Sequence, residues 1–161
     1  MVINCLTDRV LEIPGESFEG MNVDGQELHR AILEDAKACN SSFLKTNLRG
    51  AFLTNSLFDG SDFTQANLAT TFLDKASLVN CKLLDCFAVG CIFKQANLQH
   101  AVLDGANVAH ADFTEALLQG ASMCCLHLEQ AILTGAIYDQ YTRWPDSFKP
   151  ENYGAHQTPL V

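Results

Sequence analysis

From about Met21 to Gln140 the chain obeys a period of five: a small residue, often Asn or Asp next, then Leu or Phe, then a variable residue, then Gly or a polar residue. Ser61-Asp62-Phe63-Thr64-Gln65 and Ala96-Asn97-Leu98-Gln99-His100 show the unit. Of the twenty units between Ser41 and Gln140, sixteen carry Leu or Phe in the third slot, where 31 such residues in 161 would place about four. All seven glycines between Met21 and Gln140 stand in the fifth slot. A period of five fits neither a 3.6-residue helix nor a sustained two-residue strand, so each unit reads as a short extended piece followed by a corner. Gly, and Asn at Asn40, Asn55 and Asn80, are the residues that tolerate positive φ there. Such units cannot bury an apolar face alone and must stack into a continuous column.

This unit resembles that of the pentapeptide-repeat family, and the match covers about three quarters of the chain. The resemblance implies an all-β fold, a right-handed quadrilateral β-helix with one unit per side and four per coil. Residues twenty apart then lie one above the other at about 4.8 Å, and six coils span roughly 29 Å. Five to six coils are expected over 21–140, with residues 1–20 as an N-terminal cap and 141–161 as a C-terminal cap and tail, in a single domain 1–161. The third slots become four inward ladders, among them Phe43-Phe63-Leu83-Leu103-Met123 and Leu53-Leu73-Phe93-Phe113-Leu133.

The first coil, 21–40, fits less well, with Met21 and Gln26 large for the small slot and Ala38 small for the central one. A helix over Glu27 to Ala38 competes there with a regular coil, which the in-register Val23, Gly25, Leu28, Ala31 and Leu33 favour. Ile3, Leu6, Val10, Leu11 and Phe18 are available to close the lower end. Trp144, Pro145 and Phe148 suit the upper end, because an open solenoid exposes an apolar face and an unpaired edge. The ending around Tyr138-Asp139, Thr142, Trp144-Pro145 and Phe148 resembles that of many cyanobacterial pentapeptide-repeat proteins.

Cys81, Cys86 and Cys91 fill the small slot of three successive units, and the chain lacks CxxC spacing, so the cysteines read as packing thiols and not as a metal site. No apolar stretch approaches the length of a membrane helix, and the start is too soon charged for a signal peptide, from which a cytoplasmic protein is expected. A net charge of −9 argues against direct nucleic-acid binding. Some family members are acidic gyrase inhibitors that imitate DNA, an alternative the resemblance brings in; here Asp59, Asp62, Asp74, Asp85, Asp104, Asp112, Glu115, Glu129 and Asp139 are spread over all four sides. A regulator of cyanobacterial differentiation or metabolism is a second alternative from the same source.

A filled square column offers no pocket for a nucleophile, base and orienter, and the five histidines are scattered, so neither catalysis nor a cofactor is expected. Asn47, Asn67 and Asn107 share an outward ladder and are expected to bond to one another along the column. One outward ladder is unusual. On the third side the second slots run Ile32, Phe52, Phe72, Ile92, Asp112, Ile132, five of six apolar, and the fourth side adds Leu57, Leu117 and Ile137. The second side holds one apolar group in that slot, Phe87, and the first holds Val102. Stacked apolar groups outside a soluble column mark a surface for a protein partner or a second copy of the chain, the competing reading being that the N-terminal segment or the tail folds back over part of the stripe.

Overall fold

The computed structural model describes residues 2–5, 10–12 and 18–159. Parallel bridges join second-slot residues twenty apart from Asn22↔Ser42 to Ile92↔Asp112 and on to Leu117↔Ile137, so four units make one coil. The first coil is regular: Asn22, Glu27, Ile32 and Lys37 each bridge to the unit above, and no helix forms over 27–38. The hydrogen bonds between coils override the poor slot matches at Met21, Gln26 and Ala38. Among the described residues there is no α-helix, and no helix is long and apolar enough to cross a membrane.

One unit shows how the backbone is satisfied. Phe72 donates to the Ala51 carbonyl below (2.9 Å), Leu73 to the Ile92 carbonyl above (2.8 Å) and Lys75 to the Lys94 carbonyl above (2.9 Å). Ala76 closes the corner by donating to the Leu73 carbonyl at 3.1 Å, a four-residue turn. The type II form of such a turn needs positive φ at its third residue, and all twenty fifth-slot residues from Gly25 to Gly120 have it, between 51° and 73°. Thr70, β-branched, sits there at φ 54°. The stacked coils impose the corner whatever residue fills it, and Gly and Asn lower its cost.

Third-slot side chains fill the interior. Phe43 stacks on Phe63 at 4.7 Å and Phe93 on Phe113 at 4.8 Å, while Phe58 meets both Phe43 and Phe63 edge-on. The small first slots are inward too, and where they carry a hydroxyl it has a partner. Thr46, Ser56, Ser61 and Thr71 donate to the carbonyls of Val23, Leu33, Ala38 and Leu48 in the coil below, at 2.5–2.8 Å. Each of these buried groups is thereby satisfied, as a dry column requires.

The ends depart from the repeat. Below, strand β1 (Val2–Cys5) pairs antiparallel with β2 (Val10–Glu12) on one edge and with β3 (Ala31–Ile32) on the other, so a hairpin extends the third side downward. Phe18 packs against the core, while Leu6 lies outside the described residues. Above, the chain does not leave the coil after Gln140: Arg143 bridges to Ser122 on the first side, and β5 (His156–Gln157) pairs parallel with β4 (Ile137–Tyr138) on the fourth. The segment between them carries Trp144, which meets Tyr138 edge-on and stacks with Phe148, itself stacked on Tyr153. Pro145 is half-buried within this segment, and Trp144, Phe148 and Tyr153 lie against the core.

The register also slips once inside the column. Cys125 donates to Met123 at 2.7 Å in a three-residue turn, and Leu126, nineteen residues after Asn107, takes the outward bridge. Cys125 is therefore a buried first-slot residue and not a corner, and the unit starting at Ala121 is one residue short. A 3-10 turn over Leu128–Gln130, entered through His127 at φ 59°, restores the frame by Ala131. The repeat from Met21 to Gln140 is thus not unbroken.

Candidate interaction surface

The third side is built from second-slot residues that the strand pleat turns away from the column. Bridges run Ile32↔Phe52↔Phe72↔Ile92↔Asp112↔Ile132, which sets these six in one ladder. Phe52 and Phe72 stack at 5.1 Å with their planes 6° apart. Ile32 is 43% exposed, Phe72 39% and Ile132 48%, while Phe52 and Ile92 are half-buried between them. The flanks differ. Toward the fourth side the corners carry Glu34, Asp35, Asp74, Lys75, Lys94 and Glu115. Toward the second side, beyond Arg30 and Arg49 at the lower end, they carry Ala69, Val89 and Ala109, and past them stand the exposed Phe87 and Leu126.

Leu57 and Leu117 lie on the fourth side, across the charged corner from the stripe. Ser77 and Asn97 separate them within their own ladder, and Leu117 adjoins Ile137 instead. The apolar surface therefore continues onto the second side. Leu126 was hidden by the register slip; the signal for it was the small Cys125 standing one place early.

Elsewhere the second slot has a different task. A fourth-slot N–H has no partner in the ladder, and Asn47, Asp62, Asn67, Asn97, Asn107 and Asp112 each accept one from the residue two places on, at 2.8–3.2 Å. The Asn47, Asn67 and Asn107 ladder is thus held by these local turns, and not by Asn-to-Asn bonds along the column. Asn47 also reaches the coil below, donating to Glu27 at 2.7 Å, and Asp62 the coil above, pairing with Lys82.

The described residues hold no group of three or more His, Cys, Asp or Glu suited to a metal. Burial pushes the Cys81 and Cys86 thiols up to about 12 and Cys91 and Cys125 well up too, so none is a ready nucleophile. An open hollow of about 430 Å³ beside the C-terminal cap is lined by Tyr138, Trp144, Phe148, Lys149 and Glu151 among others. The Tyr138 hydroxyl there donates to Glu151, and burial followed by this carboxylate raises it to about 12. On the first side Lys82 pairs with Asp62 at 3.7 Å and Arg143 with Asp104 at 3.9 Å.

The family model of pentapeptide repeats matches residues 56–95, 73–107, 91–124 and 111–137, in eight copies. Together these cover 56–137, 82 of 161 residues. The chain belongs to the pentapeptide-repeat family. Its fold is accordingly the family's right-handed quadrilateral β-helix. Among curated proteins none matches it. Similar solved structures include a pentapeptide-repeat protein of the Arabidopsis thaliana thylakoid lumen, 24% identical over 62% of this chain and 69% of that one, with a TM-score of 0.49. HetL of the cyanobacterium Nostoc, a pentapeptide-repeat protein involved in heterocyst differentiation regulation, is 19% identical over 86% of each chain, with a TM-score of 0.37. QnrB1, a plasmid-mediated fluoroquinolone resistance protein, is 18% identical over 75% of this chain and 71% of that one, with a TM-score of 0.38.

Proposed function

We propose that this pentapeptide-repeat protein is a non-enzymatic scaffold that binds protein through the outer face of its third side. The observation that carries the reading is the ladder itself: Ile32, Phe52, Phe72 and Ile92 in uninterrupted sequence on an open face. Full burial of such side chains is worth about 1.5–3 kcal/mol each, but these are already half covered by one another, which leaves roughly 1 kcal/mol apiece. Association costs about 4 kcal/mol or more, so the stripe needs the Ala69, Val89 and Phe87 extension and a matched polar rim to hold a partner.

Imitation of DNA is the weaker reading. Asp62 and Asp104 are paired with Lys82 and Arg143 on the first side, which breaks the continuous acidic face that mimicry demands.

The test is a Phe52→Asp, Phe72→Asp double variant. It is expected to keep the β-rich circular dichroism spectrum and to lose whatever protein the wild type retains on an affinity column loaded with extract of its own cell. Retention of the same protein by the folded variant would refute the reading. Unfolding of the variant would show that the stripe serves the fold instead.

A further inference from the structure

Building on that reading, we infer that the third side receives a second copy of this chain, with the two columns antiparallel. The first reason is spacing. The stripe presents one apolar group per coil, at about 4.8 Å, and a second identical ladder offers groups at the same interval to meet them rung for rung. The second reason is where the run is centred. Ile32-Phe52-Phe72-Ile92 is continuous, Asp112 ends it, and its midpoint falls between Phe52 and Phe72. A two-fold axis through that midpoint, parallel to the strands, sets Phe52 on Phe72 of the second copy and Ile32 on Ile92, a self-complementary contact.

Charge fixes the direction. The same axis brings the corner residues Glu34, Thr54, Asp74 and Lys94 opposite Lys94, Asp74, Thr54 and Glu34 of the second copy. Glu34 and Lys94 are both exposed and stand three coils apart within one chain, so they face each other only between copies, and they do so twice. On the other flank Arg49 comes opposite Ala69, His29 opposite Val89 and Arg30 opposite Gly90, and no like charges meet. A parallel pair would set Arg30 against Glu34 and Asp35 at the lowest rung, but it would also superimpose Asp112 on Asp112 and set Ala69 and Val89 against Asp74 and Lys94, repelling in one place and stripping water from unpaired charges in another. The four rungs span only about 14 Å of axis, and such a contact stays below the roughly 1,200 Å² that separates standard interfaces from transient ones. The pairing is therefore reversible and concentration-dependent.

The experiment is sedimentation of the full chain from about 1 μM to about 1 mM, a range that brackets weak association. The average mass is expected to climb from 17.6 kDa toward twice that value. Phe52→Asp with Phe72→Asp should stay monomeric throughout. Glu34→Lys alone and Lys94→Glu alone should each weaken association about 10-fold, and the two reversals combined in one chain should restore it, which a parallel pair does not allow. A wild type that stays monomeric to the highest concentration overturns the inference, as does a failure of the combined reversal to rescue. If the wild type is monomeric yet the Phe52, Phe72 variant loses a captured protein, the interaction surface stands and only its occupancy by a second copy falls. Association that ignores the phenylalanine substitutions removes both from this face.

Discussion

The central residues of one coil share a single layer of the column, and their volumes compensate. In the third coil the quartet is Phe63, Leu68, Leu73 and Leu78; in the fourth it is Leu83, Ala88, Phe93 and Leu98, and all eight are fully buried. Moving the large ring to the third side coincides with the smallest residue of any central ladder above the first coil, Ala88, on the adjacent second side. Ala88→Leu alone therefore forces three carbons into a filled layer and should destabilise by about 1–3 kcal/mol. Phe93→Leu alone leaves a void and loses the 4.8 Å stack on Phe113, for about 1–2 kcal/mol. In the double variant the added leucine occupies the space the ring vacated, so the cost should fall to about 1–2 kcal/mol, some 1–3 less than the sum of the singles. Urea unfolding followed by circular dichroism measures all three, with slopes compared to confirm that the unfolded states match. A double variant within about 0.5 kcal/mol of additivity would show that the two sites do not share a layer, and the compensation argument would fail.

Other consequences are simpler to read. Asp139 gathers the N–H groups of Gly120, Tyr141 and Thr142 and the Thr142 hydroxyl at 2.9–3.0 Å where the chain turns out of the sixth coil. Burial is the largest single influence and opposes ionisation, but these donors together outweigh it and hold the carboxyl below its ordinary range. Its contribution is therefore present above the unfolded carboxylate value near about 4 and lost as pH falls through the lower folded one. Asp139→Ala should cost about 1–2 kcal/mol at neutral pH, and a variant as stable as wild type would discount the turn. Ile92→Asn should change monomer stability by less than about 1 kcal/mol, since the amide can accept from the Lys94 N–H as Asn97 does from Gln99; a loss above about 2 kcal/mol would place Ile92 in the core. With a thiol reagent at mildly alkaline pH, the half-buried Cys39 and Cys124 should react first, and rapid labelling of Cys86 or Cys91 by mass spectrometry would contradict their burial.

The five-residue period made the column legible because each slot has one dominant physical demand. A third-slot Phe63 or Leu98 must be buried, and a first-slot Ala96 must be small, so frame and interior followed from residue type. The failures occur where two demands can be met in more than one frame. Ser122-Met123-Cys124-Cys125-Leu126 offers two small residues in succession, and hydrogen bonding to the coil below selected Cys125 for the inward slot, which periodicity alone does not weigh. In residues 141–161 the spacing breaks, and the sequence predicts only a cap and tail there. Yet Thr142 still sends its hydroxyl to Leu118 and Ala155 is still buried, so chemistry persists where register is lost. The stripe was legible as a ladder, but its lateral extent was not, because that depends on which corner carries Ala69 and Val89 and which carries Asp74 and Lys94.

The distribution of local turns bears on why the third side is apolar at all. A second-slot Asn or Asp closes a fourth-slot N–H that the ladder leaves open, and such a bond is worth about 0.5–1.5 kcal/mol. The second side closes three this way, at Asn47, Asn67 and Asn107. The third side closes one, at Asp112, the residue that interrupts the stripe. Above the first coil, the units of Phe52, Phe72, Ile92 and Ile132 offer no second-slot acceptor to the N–H groups of Thr54, Asp74, Lys94 and Thr134. Their outward side chains recover part of that loss by packing on one another, as the Phe52 and Phe72 rings do, but 39–48% of Phe72 and Ile132 remains in solvent. Folding of the isolated column thus gains little from these residues that Asn would not supply. A surface that is indifferent for the monomer and apolar over four successive rungs gains free energy only where it meets another surface, which is the physical support for the scaffold proposed above.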